Sequence, residues 1–329
     1  MDQNFSKTPA ETVVIPKVNS SLKDYIALAR PDHWFKNIFM VPGMLFAILY
    51  FDVTWSVELV VNILVGVIST CLVASANYVI NEWLDAEFDK FHPVKKARPS
   101  VTKNLHAPYI YMEYLFLATL GLALAYYISM PFFLLEVLLL VMGIIYNVRP
   151  LRSKDRPFID VLSESINNPI RLALGWYIFV PSAVFPPLSI IVAYWMGGAF
   201  LMGIKRFAEY RFINDAKVAG LYRKSFQFYT ENSLLISSVF YALTSTFFLG
   251  IFLIKNRIEL LISFPFFALL FAWYLKIGLQ KDSVAQKPEK LYRQKYFRLF
   301  VVFLGVLLVG LLFIDIPALH WFLQNTFNK

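Results

Sequence analysis

Along the chain, long apolar runs alternate with short polar connections almost from end to end. Nine runs fall near residues 37–54, 57–80, 109–128, 131–147, 158–181, 185–204, 233–254, 258–277 and 297–314. A helix rising 1.5 Å per residue needs roughly 17–25 apolar residues to cross a hydrocarbon layer, and several runs sit near the lower limit. Spanning segments must satisfy their own backbone hydrogen bonds, so such runs predict helices. The pattern predicts an all-α membrane protein of about nine transmembrane helices over residues 23–315. A disordered polar tail precedes them at 1–22, without the apolar core of a signal peptide, and a second tail follows at 316–329.

Composition narrows the class further. The 329 residues are 58% hydrophobic and only 16% charged, with a mean hydropathy of +0.57; soluble domains are about one quarter charged. The single cysteine, Cys71, lies in an apolar run and excludes a disulfide framework or a cysteine-cluster metal site. A net charge of +9 suits nucleic acid or a membrane surface, and the placement of the charges decides between them. Of the 31 basic residues, 27 lie in the N-terminal segment and in the connections after the second, fourth, sixth and eighth runs. Lys255, Arg257 and Lys329 lie on the other side, and Arg171 lies within a run. This is the positive-inside distribution. It predicts a multi-pass plasma-membrane protein with a cytoplasmic N-terminus and a non-cytoplasmic C-terminus, and no nucleic-acid partner.

Three polar clusters sit on the basic side. After the second run, Asn77, Asn81, Asp85 and Asp89 recur every fourth residue and form one helical stripe, with Glu82 on an adjacent row. Hard oxygen ligands beside Lys95, Lys96 and Arg98 suit Mg2+ bridging to a phosphorylated substrate. A solvated helix end is the plainer reading, but the asparagines carry the stripe into apolar sequence. In the fifth run, Asp160, Glu164, Asn167 or Asn168, and Arg171 share a face, as either a lined cavity or an internal Glu164–Arg171 or Asp–Arg pair. After the sixth run come Lys205, Arg206 and Glu209, then Arg223, Lys224, Ser225 and Tyr229, suited to an interfacial helix or to cations closing over phosphates. His92 precedes Pro93 and suits a turn as well as a phosphate contact.

The segment "NEWLDAEFD" at 81–89, the "YN" at 146–147 before the fifth run, and the helix count together resemble the UbiA superfamily of intramembrane transferases over residues 24–315. "RPDHWFKN" at 30–37, the N-x3-D-x3-D-x2-HP-x-K-x2-RP pattern at 81–99, "KRFAE" at 205–209 and "RKSFQFYT" at 223–230 are similar to its decaprenyl-phosphate phosphoribosyltransferase branch. The resemblance implies transfer of phosphoribose from phosphoribosyl diphosphate (PRPP) to a polyprenyl phosphate at a cytoplasmic-side site. It assigns Asp85, Asp89 and Asn81 to catalysis and Mg2+. It places Lys36, Lys95, Arg98, Lys205 and Arg206 around donor phosphates, with Asn77, Tyr146, Arg152, Lys154, Asp160, Arg171 and Glu209 as further substrate contacts. The chain departs from the pattern at Glu82, where an aspartate is usual, and its 148–169 segment looks more like the diphosphate loop of ordinary prenyltransferases. Asp155 and Asp160 are imperfectly spaced candidates for the second aspartate motif of those enzymes. A prenyltransferase using a polyprenyl diphosphate donor is therefore the alternative. A lipid transporter would place its charges near the bilayer midplane instead. Homo-oligomerisation stays open.

Overall fold

The computed structural model describes residues 15–180 and 184–320. Residues 1–14 and 321–329, most of both predicted tails, lie outside the described residues. Residues 18–22 are ordered: Val18–Asn19 (β1) pairs in parallel with Lys103–Asn104 (β2), and helix α1 spans Leu22–Leu28. A ten-residue 3-10 segment, Pro31–Met40, leads into α2 (Val41–Tyr50). Then follow α3 (Val57–Asp89), α4 (Ala107–Ile128), α5 (Met130–Asn147), α6 (Ile159–Ser165), α7 (Asn167–Phe179) and α8 (Leu188–Ile213). The rest comprises α9 (Ala216–Tyr222), α10 (Glu231–Asn256), α11 (Phe264–Gly278, entered through the 3-10 turns of Ile258–Ser263) and α12 (Lys295–Phe313).

Among the described residues, seven helical segments are long and apolar enough to cross a membrane. They correspond to the second, third, fourth, sixth, seventh, eighth and ninth predicted runs. The other two runs take interrupted forms. The first is the 3-10 segment plus α2, and the fifth divides at Ile166 into α6 and α7. Pro169, in the first turn of α7, has no N–H to give to the Ser165 carbonyl four residues back, and the Asn167 side-chain Nδ2 donates to Glu164 O at 3.0 Å beside the break.

The second run was predicted to end at residue 80, yet α3 continues nine residues further, to Asp89. Its N-terminus is fixed by Ser56, whose side chain accepts from Leu59 N–H at 3.1 Å. Thirty-three residues make a rod about 50 Å long, against a hydrocarbon core of about 30 Å. Its last turns therefore project past the apolar layer, and they carry the predicted acidic stripe. Small residues set the closest helix contacts, as expected where lipid gives helices no hydrophobic reason to associate. A Cβ at Gly43 of α2 would lie 1.8 Å from Leu172 O of α7, and one at Gly175 of α7 would lie 2.0 Å from Met40 O. Large side chains such as Leu64, Phe116, Phe240 and Val306 are exposed on the outer faces, where a bilayer would cover them.

Candidate active site

The polar end of α3 meets the 148–160 connection, the end of α8, and the α9–α10 connection in one network. Asp85 Oδ1 accepts from Arg152 Nη2 at 3.0 Å and also from Lys154 Nζ. Asn81 Nδ2 donates to Asp85 Oδ2 at 3.3 Å and to Asn147 Oδ1, which also accepts from Lys154 at 2.7 Å. Arg152 reaches this position from a backbone at φ 25°, outside the regions L-residues prefer. Asp89 is held through Oδ2 by Arg98 Nη1 at 2.7 Å, and the same guanidinium lies 3.5 Å from buried Glu82. Burial pushes Lys154 down to about 8, with Asp85 opposing the shift.

A second centre is built around Arg206, 1% exposed. Its guanidinium reaches Glu164 Oε2 at 2.5 Å, Asp160 Oδ2 at 3.4 Å, Glu209 Oε2 at 3.4 Å and the Tyr146 hydroxyl at 3.0 Å. Asp160 additionally accepts from Tyr229 OH at 2.6 Å and Ser225 Oγ at 3.2 Å, and Arg223 lies 3.6 Å away. Burial first, and then Asp160, push the Tyr229 phenol up, so it stays a donor. Glu209 accepts from Lys95 Nζ at 2.6 Å and Tyr222 OH at 3.0 Å. Burial works against the Lys95 ammonium, but Glu209, Tyr222 and Asp89 together more than offset it and raise its pKa. His92 Nδ1 accepts from the Val94 and Lys95 amides, both at 3.1 Å, which closes the turn before Arg98.

Between the two centres lies a narrow cleft lined by Asp85, Phe88, Asp89, Arg152, Lys154, Asp155, Tyr222, Arg223 and Lys224. Of the predicted site residues, Asp85, Asp89, Arg152 and Lys154 face it directly; Asn81, Arg98, Lys95, Tyr146, Asp160, Arg206 and Glu209 hold its walls through the bonds above. Glu164 pairs with Arg206, 42 residues on, and not with Arg171. Arg171 instead donates to Asn37 Oδ1 at 2.9 Å and Asn167 O at 3.2 Å. Asn77 donates to Leu139 O at 2.9 Å, and a Cβ at Gly143 would meet its side chain at 2.0 Å, so it serves as a packing contact between α3 and α5. Lys36 and Lys205 stand apart from the cleft. Asn147, Tyr222, Arg223 and Lys224 belong to the site as well, beyond the residues expected from the sequence. Arg223 and Lys224 carried the signal of a basic pair in a long connection and Asn147 that of the YN segment before the fifth run; Tyr222 carried none.

The donor set suits a hard divalent cation. Asp85 Oδ1 and Asp89 Oδ2 hold cationic side chains, whereas Asp85 Oδ2 has only the long Asn81 contact and Asp89 Oδ1 has no partner among the described residues. No group of three or more acidic, His or Cys side chains stands ready as a metal cage among the described residues. Mg2+ is ordinarily bound this way, by one or two carboxylates completed by water and substrate phosphates.

The sequence model of the UbiA prenyltransferase family matches residues 39–304. The chain is 25% identical over 244 residues to the decaprenyl-phosphate phosphoribosyltransferase of Mycolicibacterium smegmatis, covering 71% of each protein. It is 26% identical to that of Mycobacterium tuberculosis, over 68% of this chain and 72% of the relative. In three dimensions it is similar to a UbiA homolog from Archaeoglobus fulgidus bound to DMAPP and Mg2+. The TM-score is 0.65 at 19% identity, over 87% of this chain and 99% of that one.

Proposed function

The chain belongs to the UbiA prenyltransferase family and is a transferase of the membrane; from that premise we propose that it moves 5-phosphoribose from PRPP to a polyprenyl phosphate and releases diphosphate. The observation that carries the reading is the cleft itself. Two carboxylates with open oxygens share it with cations from two different connections, Arg152 and Lys154 from one, Arg223 and Lys224 from the other. PRPP carries a diphosphate and a separate 5-phosphate, and so calls for two cationic sets; a prenyl diphosphate calls for one. The likeness to the mycobacterial relatives supports the same choice, and the basic distribution supports a cytoplasmic opening for the cleft.

Arg152 and Lys154 take oxygens of the departing diphosphate, and Arg223 with Lys224 the 5-phosphate. Asp85, Asp89 and Asn81 would hold Mg2+, which when bound neutralises diphosphate charge. As the C1–O bond of the donor breaks, its electron pair leaves with the diphosphate. An oxygen of the lipid phosphate, already anionic, forms the new bond to C1. No base has to take a proton from such an acceptor, and the site needs no histidine for this step. The buried Arg206 centre holds α6, α8 and the α9–α10 connection in register, so that the cleft's cations stay aimed before the donor arrives.

The test uses purified full-length protein in detergent with Mg2+, labelled PRPP and a polyprenyl phosphate. The expected result is loss of PRPP with stoichiometric diphosphate. Intact PRPP with every polyprenyl phosphate tried, alongside turnover of a polyprenyl diphosphate onto an aromatic or isoprenoid acceptor, would establish the prenyl-transfer alternative.

A further inference from the structure

Most cations of the site are matched to carboxylates, but two are not. Among the described residues, neither Lys36 nor Lys205 makes an ion pair with a carboxylate within 4.0 Å, although Glu164 acts on Lys205 from farther off. Lys36 belongs to a polar basin around Tyr78 of α3, and Lys205 of α8 lies within electrostatic reach of Lys36 and His33 there. Lys36 Nζ lies 5.4 Å and Arg30 Cζ 5.9 Å from the centre of that ring, and His33 packs edge-on to it at 5.2 Å. Burial first, then Lys36, Arg30 and Lys205 in turn, push His33 down to about 2, so the ring is neutral. Its Nε2 lies 2.5 Å from Arg30 Nη2. A guanidinium can only donate, so Nε2 accepts and the ring proton sits on Nδ1. That Nδ1 is buried and has no hydrogen-bond partner, and His33 is 6% exposed. Asp32 lies 3.5 Å from Nε2 and 3.8 Å from Arg30, and Glu164 is the acidic group that acts most on Lys205; the buried Nδ1 donor still lacks an acceptor and no carboxylate contacts either lysine, so the cluster suits a further anion.

The other side of the same segment is apolar and open. Trp34, Phe35 and Ile38 are 43%, 48% and 66% exposed, and Trp34 is pinned by its Nε1–H donating to Ser75 Oγ at 2.9 Å. Pro31–Met40 is thus amphipathic and lies where the first polar segment gives way to the first apolar run, as interfacial elements do. Tyr78 precedes Asp85 by seven residues on one helix, about 10 Å along its axis. The basin therefore lies deeper along α3 than the cleft.

We propose that this basin binds the phosphate of the lipid acceptor, with Lys36, Lys205 and the His33 Nδ1–H on its oxygens and the isoprenoid chain running outward over Trp34, Phe35 and Ile38. The assignment rests on the transferase reading above and divides its substrates: donor phosphates in the cleft, acceptor phosphate in the basin. It moves Lys36 and Lys205 from the donor, where the sequence resemblance placed them, to the acceptor.

Binding to the full chain in detergent tests this without turnover, using geranylgeranyl phosphate, geranylgeraniol, inorganic phosphate and PRPP as separate probes. The wild type is expected to prefer geranylgeranyl phosphate over geranylgeraniol, and over inorganic phosphate, by about tenfold or more. Lys36→Gln and Lys205→Gln should each remove most of that preference, Lys36→Arg should keep it, and all should hold PRPP within about twofold of wild type. If the Gln variants lose PRPP affinity and keep the lipid phosphate, the basin belongs to the donor and the assignment is overturned. Equal binding of inorganic phosphate and geranylgeranyl phosphate overturns the lipid part. A wild type that binds geranylgeranyl phosphate in this way but never consumes PRPP leaves the basin standing and removes the phosphoribosyl reading.

Discussion

Replacing Arg206 with methionine separates two roles that a buried arginine in a phosphate enzyme can have. If Arg206 were chiefly a donor ligand, its loss would weaken PRPP binding by about 1.5–3 kcal/mol, the worth of a charged hydrogen bond, and leave the fold intact. The structure indicates the other role. Three carboxylates, those of Glu164, Asp160 and Glu209, lie within 3.4 Å of its nitrogens, and the group is 1% exposed. Removing one partner of a buried ion pair leaves an uncompensated charge and costs about 3–5 kcal/mol. Arg223, 3.6 Å from Asp160, shares that carboxylate and keeps the loss toward the lower end. At about 2–4 °C per kcal/mol, the melting temperature in detergent should fall by roughly 6–20 °C. Glu164→Gln in the Arg206→Met background should restore part of it, with a coupling of about 1–3 kcal/mol, because the neutral amide no longer needs the guanidinium. Thermal unfolding of the four proteins of this cycle is the assay. An Arg206→Met protein as stable as the wild type, with PRPP affinity reduced, would refute the reasoning.

Two further outcomes follow from the cleft. Asp85→Asn and Asp89→Asn should each lower turnover by roughly 100-fold or more and chelation of Mg2+ should do the same, whereas full activity in chelator would contradict a metal–diphosphate role. Lys154, pushed down to about 8 by burial, should carry its charge below that pH and lose it above. For the free enzyme, kcat/KM for PRPP should then decline as pH rises through about 8, and Lys154→Arg should abolish that alkaline limb; an unchanged profile in the variant would remove Lys154 from donor binding.

How much of this the sequence displays depends on the range of the interaction. Apolar periods and local spacing are short-range, so the runs that became α4, α5, α8 and α10 and the Asp85–Asp89 stripe were legible. The continuation of α3 past residue 80 was not marked by hydropathy, because the backbone ladder persists through polar residues that the apolar count excludes. The pairings were not legible either. Lys95 meets Glu209 across 114 residues, and Arg152 meets Asp85 across 67. In the fifth run the shared face suggested Glu164 with Arg171, but the break at Ile166 separates them and α8 supplies Arg206 instead. Tyr78 carried no chemical signal; it matters because the turn at Arg30, at φ 48°, folds a polar segment back over it.

The length of α3 has a mechanical consequence. A single uninterrupted rod of about 50 Å has its foot near the far face of the bilayer and carries its carboxylates at the tip. It behaves as a lever: a tilt of about 5° at the foot displaces the Asp89 end by about 4 Å. Helices adjust their tilt to the thickness of the surrounding hydrocarbon. Any such tilt would change the spacing between Asp85, Asp89 and the cations opposite by more than the same tilt of a shorter helix would.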